Sequence, residues 1–290
     1  MNILVVSNAK AGSSAEDIVT QVCGEFENLG TVTHIQPPAV DAFDEDVVRA
    51  AADKEMVVVA GGDGTLNMTI NALRDMHDEI TFAVVPMGTG NDFARTLALS
   101  GDPLAAAKTV VAGEVKRFDL GRVSSTEKQR LFLNACMGGF PVAVNKAIDE
   151  ETKKRLGPLA FWVGGIKAAV QLPQFEVEIN GEKSNDIAAV GIGNGRTAGG
   201  GIPVFPEANP SDGLLEWCLF RVSSVVEGLH TAVKLKEGSH GKLENVRRQT
   251  DARIEVRSDP TLEFNVDGDL MGINTPVTFE IAGDIAFRIP

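Results

Sequence analysis

Two glycine-rich stretches decide the fold of this chain: Ala60-Gly61-Gly62-Asp63-Gly64-Thr65-Leu66-Asn67 and Pro86-Met87-Gly88-Thr89-Gly90-Asn91-Asp92. Each follows a short apolar run, at residues 56–59 and 82–85, and each precedes an amphipathic stretch. This order predicts a strand, a glycine turn and a helix, twice in succession. Glycine lets the backbone approach a ligand closely, and a helix start offers N–H donors and a partial positive charge. A phosphate group is the ligand that such turns suit best.

Strand and helix signals alternate through the N-terminal part of the chain. Such alternation predicts a parallel, doubly wound, Rossmann-like sheet that is covered by helices on both faces. Ligands of these sheets bind at the carboxyl ends of the strands, where both glycine loops fall. The predicted strands are 3–6, 31–36, 56–60 and 82–85, and the predicted helices are 13–30, 44–54, 91–99 and 102–113.

The pattern changes near residue 116, after which β runs follow one another. The predicted strands are 117–123, 130–136, 175–179, 187–192, 214–220, 253–256, 262–266, 277–281 and 285–289. Asn180-Gly181 between two of these runs is a strong hairpin signal. The pattern predicts a second, antiparallel domain, a sandwich or an open barrel, with helices at 142–153, 158–171 and 224–236. The sequence therefore predicts an α/β domain over residues 1–118 and a β domain over residues 119–290.

Composition limits the classes of function. The 290 residues are 43% apolar, which is enough for two cores, and the formal net charge is −13. That charge opposes unspecific binding to nucleic acid, so we expect no nucleic-acid partner. The three cysteines are widely spaced, and the first residues predict a strand rather than a signal peptide. We expect a cytoplasmic protein.

Four ordered motifs resemble the diacylglycerol kinase catalytic superfamily, which comprises bacterial lipid kinases related to sphingosine kinases and, more distantly, to NAD kinases. The resemblance covers nearly the whole chain and implies an α/β nucleotide-binding domain followed by a β-sandwich domain for the lipid substrate. The motifs that carry it are the Gly61–Asn67 loop, the Pro86-to-Arg95 loop, the stretch from Gly193 through Leu215, and Asp267-Gly268-Asp269.

The resemblance implies transfer of the γ-phosphoryl group of ATP to a lipid hydroxyl, with Mg²⁺, and most directly to diacylglycerol. Such a transfer requires positioning and charge neutralisation more than covalent chemistry. The residues expected to contact the nucleotide are Asn8, Lys10, Gly12, Gly61, Gly62, Asp63, Gly64, Thr65, Leu66, Asn67, Gly88, Thr89, Asn91 and Asp92.

Acidic residues supply the expected catalytic and metal-binding groups. Asp269 lies where the family carries its proton acceptor. Asp63 is a candidate for carrying Mg²⁺ or orienting the acceptor hydroxyl, although aspartate in a glycine-rich turn also commonly binds its own backbone. Asn209, Asp212 and the carbonyl group of Leu214 match positions that hold a structural Mg²⁺ in bacterial members, and hard oxygen ligands suit that ion.

Three departures from the family pattern leave alternatives open. Ala9 replaces a usual proline, Met68 replaces the glutamate that usually follows the first loop, and Asp269 replaces a usual glutamate. The chain could instead phosphorylate a sphingoid base or an NAD-like acceptor, or it could be a nucleotide-binding regulator with altered catalysis.

The expected partner is a lipid substrate at the inner face of the membrane, and a homodimer is left open. The basic and apolar stretch 153–163 suits contact with a membrane surface, but its pattern slightly favours a helix packed on the second domain. Arg247-Arg248 is a second candidate anchor on the same ground.

Overall fold

The computed structural model describes residues 1–7, 13–37, 42–139, 142 and 174–290. The chain divides into two compact units: unit 1 comprises Met1–Asp119 and Gly283–Pro290, and unit 2 comprises Leu120–Ala282. Within the described ranges, no helix is both long and apolar enough to cross a bilayer. The predicted helix at 142–153, except for Val142, and the predicted helix at 158–171 lie outside the described residues.

Unit 1 contains the predicted parallel sheet. Strands β1 to β4 lie in the order β4-β3-β1-β2, with every pairing parallel. The strands are β1 (Asn2–Ser7), β2 (Thr31–Ile35), β3 (Met56–Gly61) and β4 (Thr81–Pro86), and the helices are α1 (Ser13–Phe26), α2 (Phe43–Ala51), α3 (Asp63–Ala72), α4 (Asp92–Thr96) and α5 (Pro103–Ala112).

Helices cover both faces of this sheet. Apolar residues of α1 and α5, among them Val22, Phe26 and Val110, form one core with alternate residues of the strands. Successive side chains of a strand point to opposite faces, so Leu4 and Val57 lie on the other face of the sheet. Helices α2 and α3 pack against each other. The parallel α/β prediction is confirmed.

Helix ends follow local signals where the sequence provides them. Asp102 caps α5 by accepting a hydrogen bond from the Ala105 N–H group at 2.8 Å, as predicted, and Gly113 follows its last residue. Helix α4 ends at Thr96 rather than at residue 99, because Ala98 adopts a positive φ of 57°. Helix α3 begins at Asp63, inside the glycine motif rather than after it.

Unit 2 is antiparallel throughout its described strand pairs that have a defined register, as the sequence predicted. One run of paired strands has the order β14-β13-β7-β9-β8-β12-β15, β10 joins β9 to β11, and β5 pairs with β6 and β15. The strands are β5 (Glu114–Ser124), β6 (Gln129–Phe132), β7 (Ala135–Gly139), β8 (Phe175–Ile179), β9 (Glu182–Gly193), β10 (Leu215–Arg221), β11 (Val246–Asp251), β12 (Arg253–Asp259), β13 (Glu263–Val266), β14 (Asp269–Asn274) and β15 (Val277–Ile289).

Two apolar cores stabilise unit 2. The larger contains Trp217, Phe264 and Phe279, which lie on different strands. The smaller contains Phe205 and Leu235, and it joins helix α6 (Val225–Lys236) to the sheet. Asn180 and Gly181 both have positive φ, at 51° and 86°, so the predicted hairpin between β8 and β9 is confirmed.

The last residues of the chain correct the predicted domain limits. The sequence interpretation assigned all of 119–290 to the second domain, whereas residues 283–290 belong to unit 1. Phe287 pairs with Phe82 of β4 in parallel, and its ring also contacts Phe93 and Phe118. The predicted strands 277–281 and 285–289 are one strand, β15, because no residue between them ends the extended backbone.

Candidate active site

The two glycine loops of unit 1 lie against each other. Strands β3 and β4 pair in parallel up to Gly61 and Pro86, and the Met87 N–H group donates to the Gly61 carbonyl oxygen at 3.0 Å. A Cβ atom on Gly88 would lie 2.5 Å from the Gly62 Cα atom, which is closer than such atoms ever approach. Only glycine at residue 88 therefore permits this contact.

Asp63 connects the starts of two helices. Its carboxylate accepts the N–H groups of Asp92 at 3.0 Å and Phe93 at 3.2 Å, which are the first residues of α4. A carboxylate at a helix N-terminus is favourable because it satisfies donors that have no partner within the helix. This contact favours a bracing role for Asp63, and its predicted catalytic role stays a prediction.

Asn91 holds the second loop closed. Its carboxamide oxygen accepts the Gly88 N–H group at 3.0 Å, and its carboxamide nitrogen donates to the Gly88 carbonyl oxygen at 2.7 Å. The backbone of Asn91 has φ 51°, a conformation that asparagine tolerates better than most residues. Asn91 is thus placed to shape the loop.

A cavity of about 560 Å³ opens at the carboxyl ends of the parallel strands. Its wall includes Gly61, Gly62, Gly64, Thr65 and Gly88 from the predicted nucleotide contacts. The backbone N–H groups in the first turn of α3 have no acceptor within the helix. This end of the cavity therefore suits an anion.

The other predicted nucleotide contacts lie beside this wall or outside the described residues. Leu66 and Asn67 are buried in α3, where Asn67 accepts a hydrogen bond from Asn71 at 3.2 Å. Asp92 is buried at the start of α4, and Thr89 is exposed on the second loop. Asn8, Lys10 and Gly12 lie outside the described residues.

His34 lines the same cavity and was not predicted to do so. It lies on β2, and its Nε2 atom is 2.9 Å from the Ser7 hydroxyl oxygen. Burial lowers the pKa of His34 below its ordinary value. Period-two alternation in residues 31–35 was the available signal, because it places His34 and Val32 on one face of β2.

In unit 2, the acidic turn at Asp267 is fixed by three hydrogen bonds. The Asp267 carboxylate accepts the N–H groups of Leu133, Asn134 and Ala135 at 2.9–3.0 Å. Asp267 and Gly268 have φ of 48° and 95°, which forms a tight turn. Asp269, the predicted proton acceptor, follows at the exposed start of β14.

Asn134 is a second residue that sequence reasoning missed. The predicted strand 130–136 is broken at residues 133–134, where the Asn134 carbonyl oxygen accepts the N–H groups of Asn194 and Gly195 at 2.9 and 2.8 Å. Segment 133–135 therefore anchors both the Asp267 turn and the glycine-rich loop after β9. An asparagine inside an apolar run was the available signal, because buried polar groups need partners.

The predicted metal ligands lie in the loop before β10. Asp212 accepts the Leu214 N–H group at 3.0 Å across Gly213, and Asn209 and Asp212 are exposed. Their oxygen atoms are of the type that Mg²⁺ prefers. In the described part of the chain, no group of three or more His, Cys, Asp and Glu side chains could hold a metal, and the predicted set, with one such side chain, stays a prediction.

These features define a class, the two-domain kinases that combine an α/β unit carrying paired glycine loops with a β-sandwich. Residues 2–123 match the model of the diacylglycerol kinase catalytic domain, and residues 134–286 match that of the YegS C-terminal NAD kinase beta sandwich-like domain. The chain belongs to this family of lipid kinases and is therefore an enzyme, with ATP as the co-substrate that the family implies.

Individual relatives agree with this assignment. The chain is 32% identical over 281 residues to a Stenotrophomonas maltophilia protein called "Probable lipid kinase YegS-like", covering 92% of this chain and 88% of the relative. It is 28% identical over 261 residues to the diacylglycerol kinase of Bacillus subtilis, covering 88% and 85%.

A solved structure supports the fold. The crystal structure of a diacylglycerol kinase from Bacillus anthracis superposes with a TM-score of 0.80 at 23% identity, covering 100% of this chain and 97% of that one. The predicted fold class, an α/β domain followed by a β-sandwich, is confirmed.

Proposed function

We propose that this enzyme transfers the γ-phosphoryl group of ATP to the hydroxyl group of diacylglycerol and produces phosphatidic acid, with Mg²⁺. The observation that carries the proposal is the contact of Gly62 with Gly88 beside a cavity at the start of α3. Membership of the lipid kinase family supports the acceptor class.

On the donor side, the phosphates of ATP would lie against the first turn of α3. Gly62 and Gly64 leave room for the phosphates to approach the backbone, and the Thr65 hydroxyl adds a polar group to the cavity wall. The partial positive charge of the helix N-terminus offsets negative charge on the phosphates. The backbone of this loop would thus supply much of the electrostatic stabilisation of the transferring group.

On the acceptor side, Asp269 would act as the base. The lipid hydroxyl oxygen forms a bond to the γ-phosphorus as the bond to the β–γ bridging oxygen breaks, and the hydroxyl proton moves to the Asp269 carboxylate. The three hydrogen bonds on Asp267 fix the turn that carries this carboxylate. Rigidity at this turn would hold the base in one position.

Asn209, Asp212 and the Leu214 carbonyl group would hold a structural Mg²⁺. When bound, the ion would supply positive charge that orders these oxygen atoms. The hydrogen bond from the Leu214 N–H group already directs one carboxylate oxygen of Asp212 toward the loop that carries both residues.

A catalytically altered enzyme that acts mainly as a nucleotide-binding regulator is the second candidate, and Met68 favours it. Met68 lies in α3, half-buried, and its side chain has no carboxylate to replace the glutamate that the family usually carries there. Calorimetry combined with the kinase assay separates the candidates: a regulator binds ATP tightly but phosphorylates each acceptor only at a very low rate.

The proposal is tested by transfer of labelled phosphate from ATP to diacylglycerol, a sphingoid base and NAD, each with and without Mg²⁺. We expect labelled phosphatidic acid only when diacylglycerol and Mg²⁺ are present. Asp269→Asn should lower turnover about a hundredfold or more with nearly unchanged ATP affinity, because general-base catalysis contributes factors of this size. Transfer to the sphingoid base or NAD alone would reassign the acceptor, and equal loss of turnover and ATP affinity would place Asp269 in nucleotide or metal binding.

A further inference from the structure

Helix α6 (Val225–Lys236) exposes a stripe of apolar side chains. Val226, Leu229 and Val233 are 77%, 45% and 55% exposed. Their spacing of three and four residues places them on one face of the helix. Eight large hydrophobic side chains are exposed among the described residues, and of these only Val226, Leu229 and Val233 share one helix or strand. These three form a surface feature, named the α6 stripe below.

The opposite face of α6 holds the helix on unit 2. Leu235 is 5% exposed and packs in the smaller core of unit 2, and Thr231 is buried. The Asn245 carboxamide nitrogen donates to the Thr231 hydroxyl oxygen at 2.9 Å and to the Arg221 carbonyl oxygen at 2.8 Å. The helix is therefore fixed in rotation, and the α6 stripe faces outward.

The charged side chains of α6 and its C-cap balance each other, because Lys234 and Lys236 offset Glu227 and Glu237. Glu227 accepts hydrogen bonds from the Ser223 N–H and hydroxyl groups, and Glu237 forms an ion pair with Lys234 at 2.8 Å. Lys236 is exposed in the last turn of the helix. On a chain with net charge −13, this face combines an apolar surface with lysine side chains at one end and acidic groups that already have partners.

We propose that the α6 stripe docks on the surface of a phospholipid bilayer, with α6 parallel to the membrane plane. A helix of this kind inserts its apolar side chains at the boundary of headgroups and acyl chains, while lysine side chains extend to the phosphates. The proposal rests on the lipid kinase function, because it places the enzyme where a membrane-resident acceptor is found.

A second copy of this chain fits the α6 stripe less well. A stable protein interface buries roughly 800 Å² on each partner, far more than three aliphatic side chains provide. Each copy would also carry the same net charge of −13. An interfacial helix, in contrast, needs only a narrow stripe.

Co-sedimentation with phosphatidylcholine–phosphatidylglycerol vesicles tests the proposal on the full chain. The variant Val226→Gln/Leu229→Gln/Val233→Gln removes the stripe while keeping good helix formers. Its binding should fall at least about tenfold, because burial of apolar groups drives interfacial attachment. The matched control is Val48→Gln, which changes a 42% exposed valine on α2 and should bind like the wild type.

Activity measurements distinguish docking from catalysis. The triple variant should lose phosphorylation of diacylglycerol in vesicles by the same factor, and keep phosphorylation of a short-chain diacylglycerol dispersed without vesicles. If the wild type phosphorylates neither acceptor, the proposed function fails, and vesicle binding alone still decides the docking proposal.

Three results would overturn the docking proposal. They are wild-type protein that does not bind the vesicles, a triple variant that binds as well as the wild type, and a wild-type dimer in sedimentation that becomes monomeric in the triple variant. Binding of the wild type should persist at high salt, because screening also weakens the repulsion from the acidic chain.

Discussion

At the scale of single residues, Gly88 is a position where the structure leaves no room for a larger side chain. Its backbone contacts Gly62 so closely that the two loops leave no room for a methyl group. This contact brings together two motifs that are 26 residues apart in the chain and both adjoin one cavity. The distance between the two loops is therefore set by the absence of a side chain at Gly88.

We predict that Gly88→Ala weakens ATP binding at least about tenfold, because the added Cβ atom must push the Gly62 backbone away. Isothermal titration with ATP measures the effect. Gly101→Ala is the matched control, since a Cβ atom there meets nothing within 4 Å. Equal affinity of the two variants would mean that the loop contact does not shape the nucleotide site.

At the scale of elements, Asp63 makes α3 and α4 one structural unit. The residue belongs to the first turn of α3, yet its carboxylate satisfies the N–H groups at the start of α4. Both strand ends that precede these helices are thereby held at the cavity. Loss of this bond should loosen the second loop before it affects the sheet.

Asp63→Asn is expected to lower the free energy of unfolding by about 1–3 kcal/mol. The amide NH₂ group would face a backbone N–H group, and it cannot accept a hydrogen bond from that group. Urea unfolding measures this change. Asp44→Asn, in the first turn of α2 and exposed, is the control and should stay within about 0.5 kcal/mol of the wild type. A stable but inactive Asp63→Asn variant would instead assign Asp63 to the reaction.

At the scale of the whole molecule, three histidines link stability to pH. Burial lowers the pKa values of His34, His77 and His240. Each binds a proton more weakly in the folded chain than in the unfolded chain, so its contribution is present above the ordinary pKa of about 6.5 and is lost as the pH falls through lower values. Burial raises the pKa of Glu216. This carboxyl group therefore lowers the free energy of unfolding as the pH rises above its ordinary pKa.

We predict that the free energy of unfolding falls between pH 7 and pH 5, by at most about 1.4 kcal/mol per pH unit for the buried His240 and by less for the exposed His34. His240→Gln should reduce this slope, since the Nε2–H group of His240 donates to the Val204 carbonyl oxygen at 3.0 Å and an amide can keep that bond. Urea unfolding at several pH values measures both slopes. An unchanged slope in His240→Gln would show that this histidine does not titrate with folding.

The sequence predicted the elements whose signals are local. Alternating apolar runs, the Asp102 cap and the Asn180-Gly181 turn act within a few residues, so the parallel sheet, α5 and the β8–β9 hairpin were predicted correctly. The glycine loops were located for the same reason. Their mutual contact could be expected from neighbouring parallel strands, although not its closeness.

Long-range partners could not be predicted from single positions. The bond of Asp267 to segment 133–135 spans more than 130 residues, and the ring contacts of Phe287 with Phe82 and Phe93 span about 200. β11 was missed because its sequence, Val-Arg-Arg-Gln-Thr-Asp, is polar and is held in place by pairing with β10. The position of His34 in the cavity depends on the packing of β2 beside β1.

The return of residues 283–290 to unit 1 has a consequence for synthesis of the chain. A ribosome releases residues 1–119 before unit 2, whereas the strand segment that carries Phe287 is made only after unit 2. Until then, the edge of β4 and the ring of Phe82 lack their final partner, although all of unit 2 has already left the ribosome. Unit 1 therefore starts folding first, and its folding is completed only after the whole of unit 2 has been synthesised.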